Sequence, residues 1–224
     1  VLWIGNSFTY YNGGVPAMVK ALAEDLRPLG KHALRVGMNA IGGAHLPDHA
    51  KRPDLDVSQG WDIVVLQGYS DGPINPEKTA AFRQALVALA ADIGAGGAKT
   101  LLFMTWAYKD RPSMTQALAA AYSDAGIAVG APVVPVGLAF ASARAERSDL
   151  ALFVTEDNKH PSVAGTYLAA CTFYAWLFGS SPEQAAFKPK DLTKGDAAFL
   201  QRIAWETVSA YTASPVPSST ARGG

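Results

Sequence analysis

The sequence predicts an α/β protein whose mainly parallel sheet is covered by helices on both faces. Short apolar runs recur from the first residue to about residue 178, each followed by an amphipathic stretch. Strands that alternate with helices imply right-handed crossovers, and these make neighbouring strands parallel. The loops after the runs read GNSFTYYNGG, NAIGGAHLPDH, QGYSDGPINP and TWAYKDRPS, all rich in small, polar and aromatic residues. In a parallel sheet ligands bind beyond the carboxyl ends of the strands, so these loops are where chemistry is expected.

Residues 1–5, 33–38, 62–66 and 100–104 read as buried strands, and residues 131–136 as a weaker fifth. Residues 75–93 are the clearest helix: Asn75 can cap it, Pro76 suits its first turn, and Phe82, Leu86, Leu89 and Ile93 share one face. Residues 15–26, 114–125 and 163–178 also read as helices. Residues 193–211 place Leu200, Ile203, Ala204, Thr207, Val208 and Tyr211 at helical spacing, as a last helix packed on the body. Residues 1–212 are expected to form one domain, and the Pro-, Ser- and Gly-rich residues 213–224 a disordered tail.

With 49% hydrophobic and 17% charged residues the composition is that of a packed globular protein. Formal net charge is zero and no basic stripe is present, which argues against nucleic acid or an anionic membrane as partner and favours a small or neutral ligand. No apolar stretch reaches the ~20 residues that span a bilayer. Val1 stands inside an apolar run with no starting methionine, so residues upstream are expected to have been removed or omitted; a lost signal peptide would make the protein secreted or periplasmic. The single cysteine, Cys171, lies in an apolar run and reads as a buried structural thiol. Oligomeric state is left open by the sequence.

Two strings carry candidate chemistry. The first strand runs directly into Gly5-Asn6-Ser7-Phe8-Thr9, where a serine can expose its hydroxyl at the sheet edge while turn N–H groups face an oxyanion. Alone, this string is also ordinary turn chemistry. Near the other end, Asp157 precedes His160 by three residues on a loop closed by Pro161, and Ser162 can cap the helix that follows. A carboxylate so placed can take the imidazole Nδ1 proton while Nε2 faces a serine hydroxyl. His45 and His49, with Asp48 between them, suggest metal ligands at first sight. Pro47 disfavours a helix presenting both, and a polar pocket rim is the better reading. His32 reads as a solvated loop residue.

Taken together, the two strings resemble the SGNH (GDSL-like) hydrolases. Gly5-Asn6-Ser7-Phe8-Thr9 matches the family's first block in its Gly-Asn-Ser-x-Thr form, and Asp157-Asn158-Lys159-His160-Pro161 matches the last, Asp-x-x-His-Pro. Gly42-Gly43-Ala44 falls where the second block supplies a glycine, and Gln67-Gly68-Tyr69-Ser70-Asp71 where the third ends a strand. The resemblance implies a flavodoxin-like three-layer α/β/α sandwich on a five-stranded sheet and ester hydrolysis without metal or cofactor. It also implies a triad of Ser7, His160 and Asp157, with Ser7 and Gly43 giving oxyanion N–H groups.

The third block departs from the family, which usually has Asn where this chain has Ser70. The segment also resembles the Gln-Gly-Glu-Ser-Asp block of carbohydrate acetylesterases, which points to the side-chain amide of Gln67 as oxyanion donor. Gln67 is favoured over Ser70, because an amide N–H has fixed geometry and a hydroxyl rotates. Tyr10, Tyr69, Ser70 and Trp106, with Tyr108 beside them, are candidate substrate-binding residues in the same loops. The expected substrate is a small-molecule or carbohydrate ester carrying a short acyl group such as acetyl. The alternatives are a lipase- or thioesterase-like preference and, from another class, a non-catalytic carbohydrate-binding module on the same fold.

Overall fold

A computed structural model describes residues 1–27, 33–52, 55, 57 and 60–213. One five-stranded sheet runs in the order β2 (Gly37–Ala40), β1 (Leu2–Gly5), β3 (Ile63–Gln67), β4 (Lys99–Phe103) and β5 (Val133–Val134), with every neighbouring pair parallel. Side chains alternate across a pleated strand, so each strand feeds two cores. Trp3, Val65, Leu101 and Phe103 pack against α2 (Val15–Leu26), α6 (Val136–Glu146), α7 (Val163–Phe178) and α8 (Lys194–Ala213). Leu2, Ile4, Val64, Leu66 and Leu102 pack against α4 (Thr79–Ala95) and α5 (Met114–Val129). The protein is therefore the three-layer α/β/α sandwich expected. Among the described residues three short elements join these: α1 (Ser7–Tyr10), a 3-10 turn at Tyr11–Gly13, and α3 (Leu46–Ala50).

Helix α7 is buried on all sides from Ala164 to Ala175, because it lies between the sheet and the other helices of its layer. Its start follows the sequence: Ser162 Oγ accepts the Gly165 N–H at 3.2 Å, and Gly179 in the left-handed region stops it at the far end. Cys171 sits within it, fully buried, and burial pushes its thiol pKa up, so the thiol stays protonated. Among the described residues no helix is long and apolar enough to cross a membrane.

Four element boundaries differ from the sequence reading, each for a local reason. Strand β2 lies further along the chain than residues 33–38, because pairing with β1 sets its extent and carries it to Ala40. Helix α4 starts at Thr79 rather than Asn75. Asn75 instead closes a turn, its Oδ1 accepting the Glu77 N–H and its carbonyl the Lys78 and Thr79 N–H groups. Helix α5 continues past residue 125 because Gly126 has no side chain to collide with the Ala131 carbonyl, which a methyl there would approach to 2.6 Å. The apolar run 131–136 pairs at only two residues before Pro135, and α6 follows at once; Gly137 lets that helix lie against the Thr105 carbonyl. Ala213 ends α8, while the rest of the expected tail and His32 lie outside the described residues.

Leu168 is fully buried in α7 at the centre of the larger core. Leu168→Ala is expected to lower stability by about 2–5 kcal/mol, read as a lower denaturant midpoint at unchanged slope.

Candidate active site

The turn after β1 is organised around one side-chain oxygen. Gln67, the last residue of β3, is buried, and its Oε1 accepts the Asn6 N–H at 2.8 Å and the Thr9 hydroxyl at 3.0 Å. Gly5 leaves room for this contact: a methyl there would stand 2.5 Å from Gln67 Oε1 and 2.6 Å from Thr9 Oγ1. Asn6 caps α1 by accepting the Phe8 N–H on Oδ1 at 3.1 Å, and its Nδ2 donates to the Ala44 carbonyl at 3.0 Å, tying the turn to the loop after β2. Ser7 is thus the first residue of α1, at the carboxyl edge of the sheet, where helix geometry leaves its N–H without an intrahelical acceptor.

Ser7 Oγ lies 2.8 Å from His160 Nε2, and His160 Nδ1 is hydrogen-bonded to Asp157 Oδ2. A carboxylate on Nδ1 calls for the tautomer with the proton there, which leaves Nε2 free to accept from Ser7. The other Asp157 oxygen accepts the Lys159 and His160 N–H groups at 3.1 and 3.0 Å. Burial alone would raise the Asp157 pKa. The bonds from the His160 N–H, the imidazole and the Lys159 N–H outweigh it and hold the carboxyl below its ordinary range.

The backbone of this loop is fixed at four successive carbonyls. Asn158 O accepts from Lys109 N at 2.8 Å, Lys159 O from Trp106 Nε1 at 2.9 Å, His160 O from Val154 N at 3.0 Å, and Pro161 O from Asn12 Nδ2 at 2.9 Å. Asn158 itself adopts φ +57°, a conformation that asparagine tolerates better than most residues.

Two expectations are corrected. The Gln67 amide nitrogen donates to the carbonyl of Gly68, and its oxygen is held by two donors, so this side chain braces the serine turn rather than pointing at the space between Ser7 and Gly43. Trp106 offers no platform to a substrate. It is fully buried, stacked between Phe8 and Phe140 with centroids 4.4 and 4.3 Å away, and its indole N–H anchors the His160 loop.

The remaining candidates lie in the segments that follow β1, β2 and β3. Gly43 has φ +72° and open space beside it, and its N–H makes no hydrogen bond among the described residues. Ser70 is buried, with its hydroxyl 2.7 Å from the Tyr108 hydroxyl, whose pKa burial pushes up. Tyr69 stacks on His45 at 4.1 Å and carries Lys78 Nζ 4.6 Å from its centroid. The Tyr10 hydroxyl approaches Gly42 so closely that a methyl there would be 2.9 Å away.

His45 and His49 do not converge. His49 is buried, with Nε2 2.9 Å from the Gly5 carbonyl; burial is the main reason its pKa is lowered, and a neutral ring donates that bond. The sequence reading missed Tyr11, stacked on the His160 ring, and Asn12, bonded to the loop beyond it. Asn12-Gly13-Gly14 was a visible turn signal, but nothing local in it says which loop it touches.

No family model matches the sequence, and no curated protein matches it. Solved structures do. A candidate SGNH hydrolase from Slackia heliotrinireducens superposes with a TM-score of 0.61 at 27% identity, over 79% of this chain and 97% of that one. The chain has the fold of the SGNH (GDSL-like) hydrolase superfamily. A DUF4886 family protein from Bacteroides uniformis matches over 93% of each chain, at TM-score 0.70 and 19% identity. A mutant of Axe2, an acetyl-xylooligosaccharide esterase from Geobacillus Stearmophilus, matches at TM-score 0.61 and 22% identity, over 77% of this chain and 90% of that one. The SGNH neighbours thus include an ester hydrolase.

Gln67→Ala strands the buried Asn6 N–H. It is expected to cost about 1–3 kcal/mol of stability, measured by chemical denaturation, in addition to lowering any activity that depends on Ser7.

Proposed function

We propose that this SGNH protein is a serine hydrolase that removes a short acyl group, such as acetyl, from a carbohydrate or other small ester. The observation that carries the reading is the contact of Ser7 Oγ with His160 Nε2 at 2.8 Å, with Asp157 on the opposite ring nitrogen. Ser7 attacks the ester carbonyl as His160 takes its proton, and Asp157 steadies the imidazolium that results. The tetrahedral oxyanion is met by the Ser7 and Gly43 N–H groups. His160 then gives its proton to the departing alcohol, and water attacks the acyl-enzyme through the same base.

With the Gln67 amide engaged, the third oxyanion donor passes to the Ser70 hydroxyl. When Tyr108 donates to Ser70 Oγ, the Ser70 proton is free to point elsewhere. Each such donor contributes roughly 3 kcal/mol to lowering the barrier. Acetyl as the acyl group is supported by the name of the Axe2 neighbour and by the Gln-Gly-x-Ser-Asp order of Gln67 to Asp71. A non-catalytic binding module would have no use for a serine held on an imidazole that is itself held on a carboxylate.

A short-chain aryl acetate assay tests the reading. Ser7→Ala and His160→Ala are expected to lose turnover by three orders of magnitude or more, on the order seen when triad members are removed from other hydrolases. Ser70→Ala should lose about two. Turnover retained in Ser7→Ala would remove the proposal. The pH dependence follows from the Asp157 shift: because that carboxyl stays ionised well into acid, turnover should fall on acidification as His160 gains its proton and not as Asp157 does. A chelator is expected to leave turnover unchanged, since the nucleophile is Ser7 and no metal-bound water is called for.

A further inference from the structure

Four residues beyond Ser7 the chain turns back over its own base. The Tyr11 ring lies nearly parallel to the His160 imidazole, with centroids 4.5 Å apart and planes 16° apart. Tyr11 opens the 3-10 turn, and the next residue, Asn12, has φ +54° and ψ +38°, in the left-handed region. That conformation turns the Asn12 side chain towards the loop that carries His160. Its Nδ2 donates to the Pro161 carbonyl at 2.9 Å and to the Thr166 hydroxyl at 2.8 Å. Phe8, one turn earlier, meets the same imidazole edge to face at 5.6 Å. The nucleophile segment therefore grips the base on its ring face, its edge and its backbone.

We propose that Tyr11 is a positioning residue for His160, its ring face holding the imidazole in plane and favouring the imidazolium formed as Ser7 gives up its proton. The inference rests on the hydrolase reading for its consequence in turnover, but not for its effect on the imidazole. An aromatic face attracts a cation through its quadrupole, and the attraction is larger where water is excluded. The neutral imidazole gains nothing comparable, so the contact acts on the charged state that appears in the transition state. This is differential stabilisation and shows in kcat rather than KM. The groups facing the imidazole are Asp157 on Nδ1, the Ser7 hydroxyl on Nε2, the Phe8 ring at its edge and the Tyr11 ring on its face. Only Asp157 among these carries a charge, and it is retained in the variants below.

Tyr11→Phe keeps the face, whereas Tyr11→Leu keeps apolar cover without the π system. The titration of the His160 ring, followed by NMR in the full chain with His160→Gln used to assign the signal, is the readout independent of turnover. In Tyr11→Leu the midpoint is expected to fall by about half a pH unit, the size of one partly exposed cation–π contact. Tyr11→Phe should titrate with the wild type. With an aryl acetate, Tyr11→Leu should lower kcat about threefold at unchanged KM and move the acid limb of the profile by the same half unit. A Tyr11→Leu midpoint equal to wild type, or a Tyr11→Phe midpoint moved as far as that of Tyr11→Leu, would overturn the proposal. Labelling of wild-type Ser7 by an organophosphonate separates the two levels of argument: absence of labelling removes the hydrolase reading, while the NMR midpoints still decide what Tyr11 does to His160.

Discussion

The turn that presents Ser7 at the carboxyl edge of the sheet depends on the carbonyl oxygen of the Gln67 side chain. It lies at the end of the third strand, buried, and it receives the backbone of Asn6 and the hydroxyl of Thr9 from the turn after the first. Two residues of the Gly-Asn-Ser-x-Thr string are thereby explained as partners of one acceptor. A third, Gly5, is explained as the residue whose missing side chain lets that acceptor approach. A buried acceptor with two donors is a rigid joint, because breaking either bond leaves a polar group without water. The serine is presented by this joint, one residue along from Asn6, so its direction is set by the register between β1 and β3.

His160 is held differently. Its loop enters no sheet, apart from a single bridge between Phe153 and Pro161. It is pinned through backbone carbonyls by donors from the loop after β4, from its own preceding segment and from the serine turn. The stack of Phe8, Trp106 and Phe140 runs beneath this arrangement, so the ring next to Ser7 and the indole that anchors the histidine loop share one packed column. Ser7 and His160 are 153 positions apart in sequence yet belong to one small mechanical unit. Its polar part is bonded through backbone and amide groups that do not titrate near neutrality, while Asp157, His160 and Ser7 are the residues to which the proposed chemistry is assigned.

Much of this was legible in the sequence. The strand-helix alternation identified the fold, and the Asp-x-x-His spacing identified which histidine meets the serine, because three residues on a tight loop suffice to turn a carboxylate onto Nδ1. What the sequence misjudged were residues whose role depends on contacts from other elements. Gln67 looks like a free amide at a strand end until the first turn is laid beside it, and Trp106 looks like a loop aromatic until Phe8 and Phe140 close over both faces. Tyr11 and Asn12 lie in a glycine-rich turn whose composition says that it bends and not what it bends towards. Helix α6 was hidden because Val133 to Val136 is apolar throughout, and periodicity cannot divide a short apolar run between a strand and the start of a helix.

The central claim is that Ser7 becomes covalently acylated, its proton passing through His160 to the departing alcohol. Mixing the protein with an aryl acetate, quenching in acid within the first turnover and mapping the peptides by mass spectrometry tests it directly. The account predicts an acetyl group on the peptide bearing Ser7, absent in Ser7→Ala and scarcely formed in His160→Ala. Aryl acetate turnover at full rate with no acyl group on that peptide, and with Ser7→Ala equally active, would contradict it.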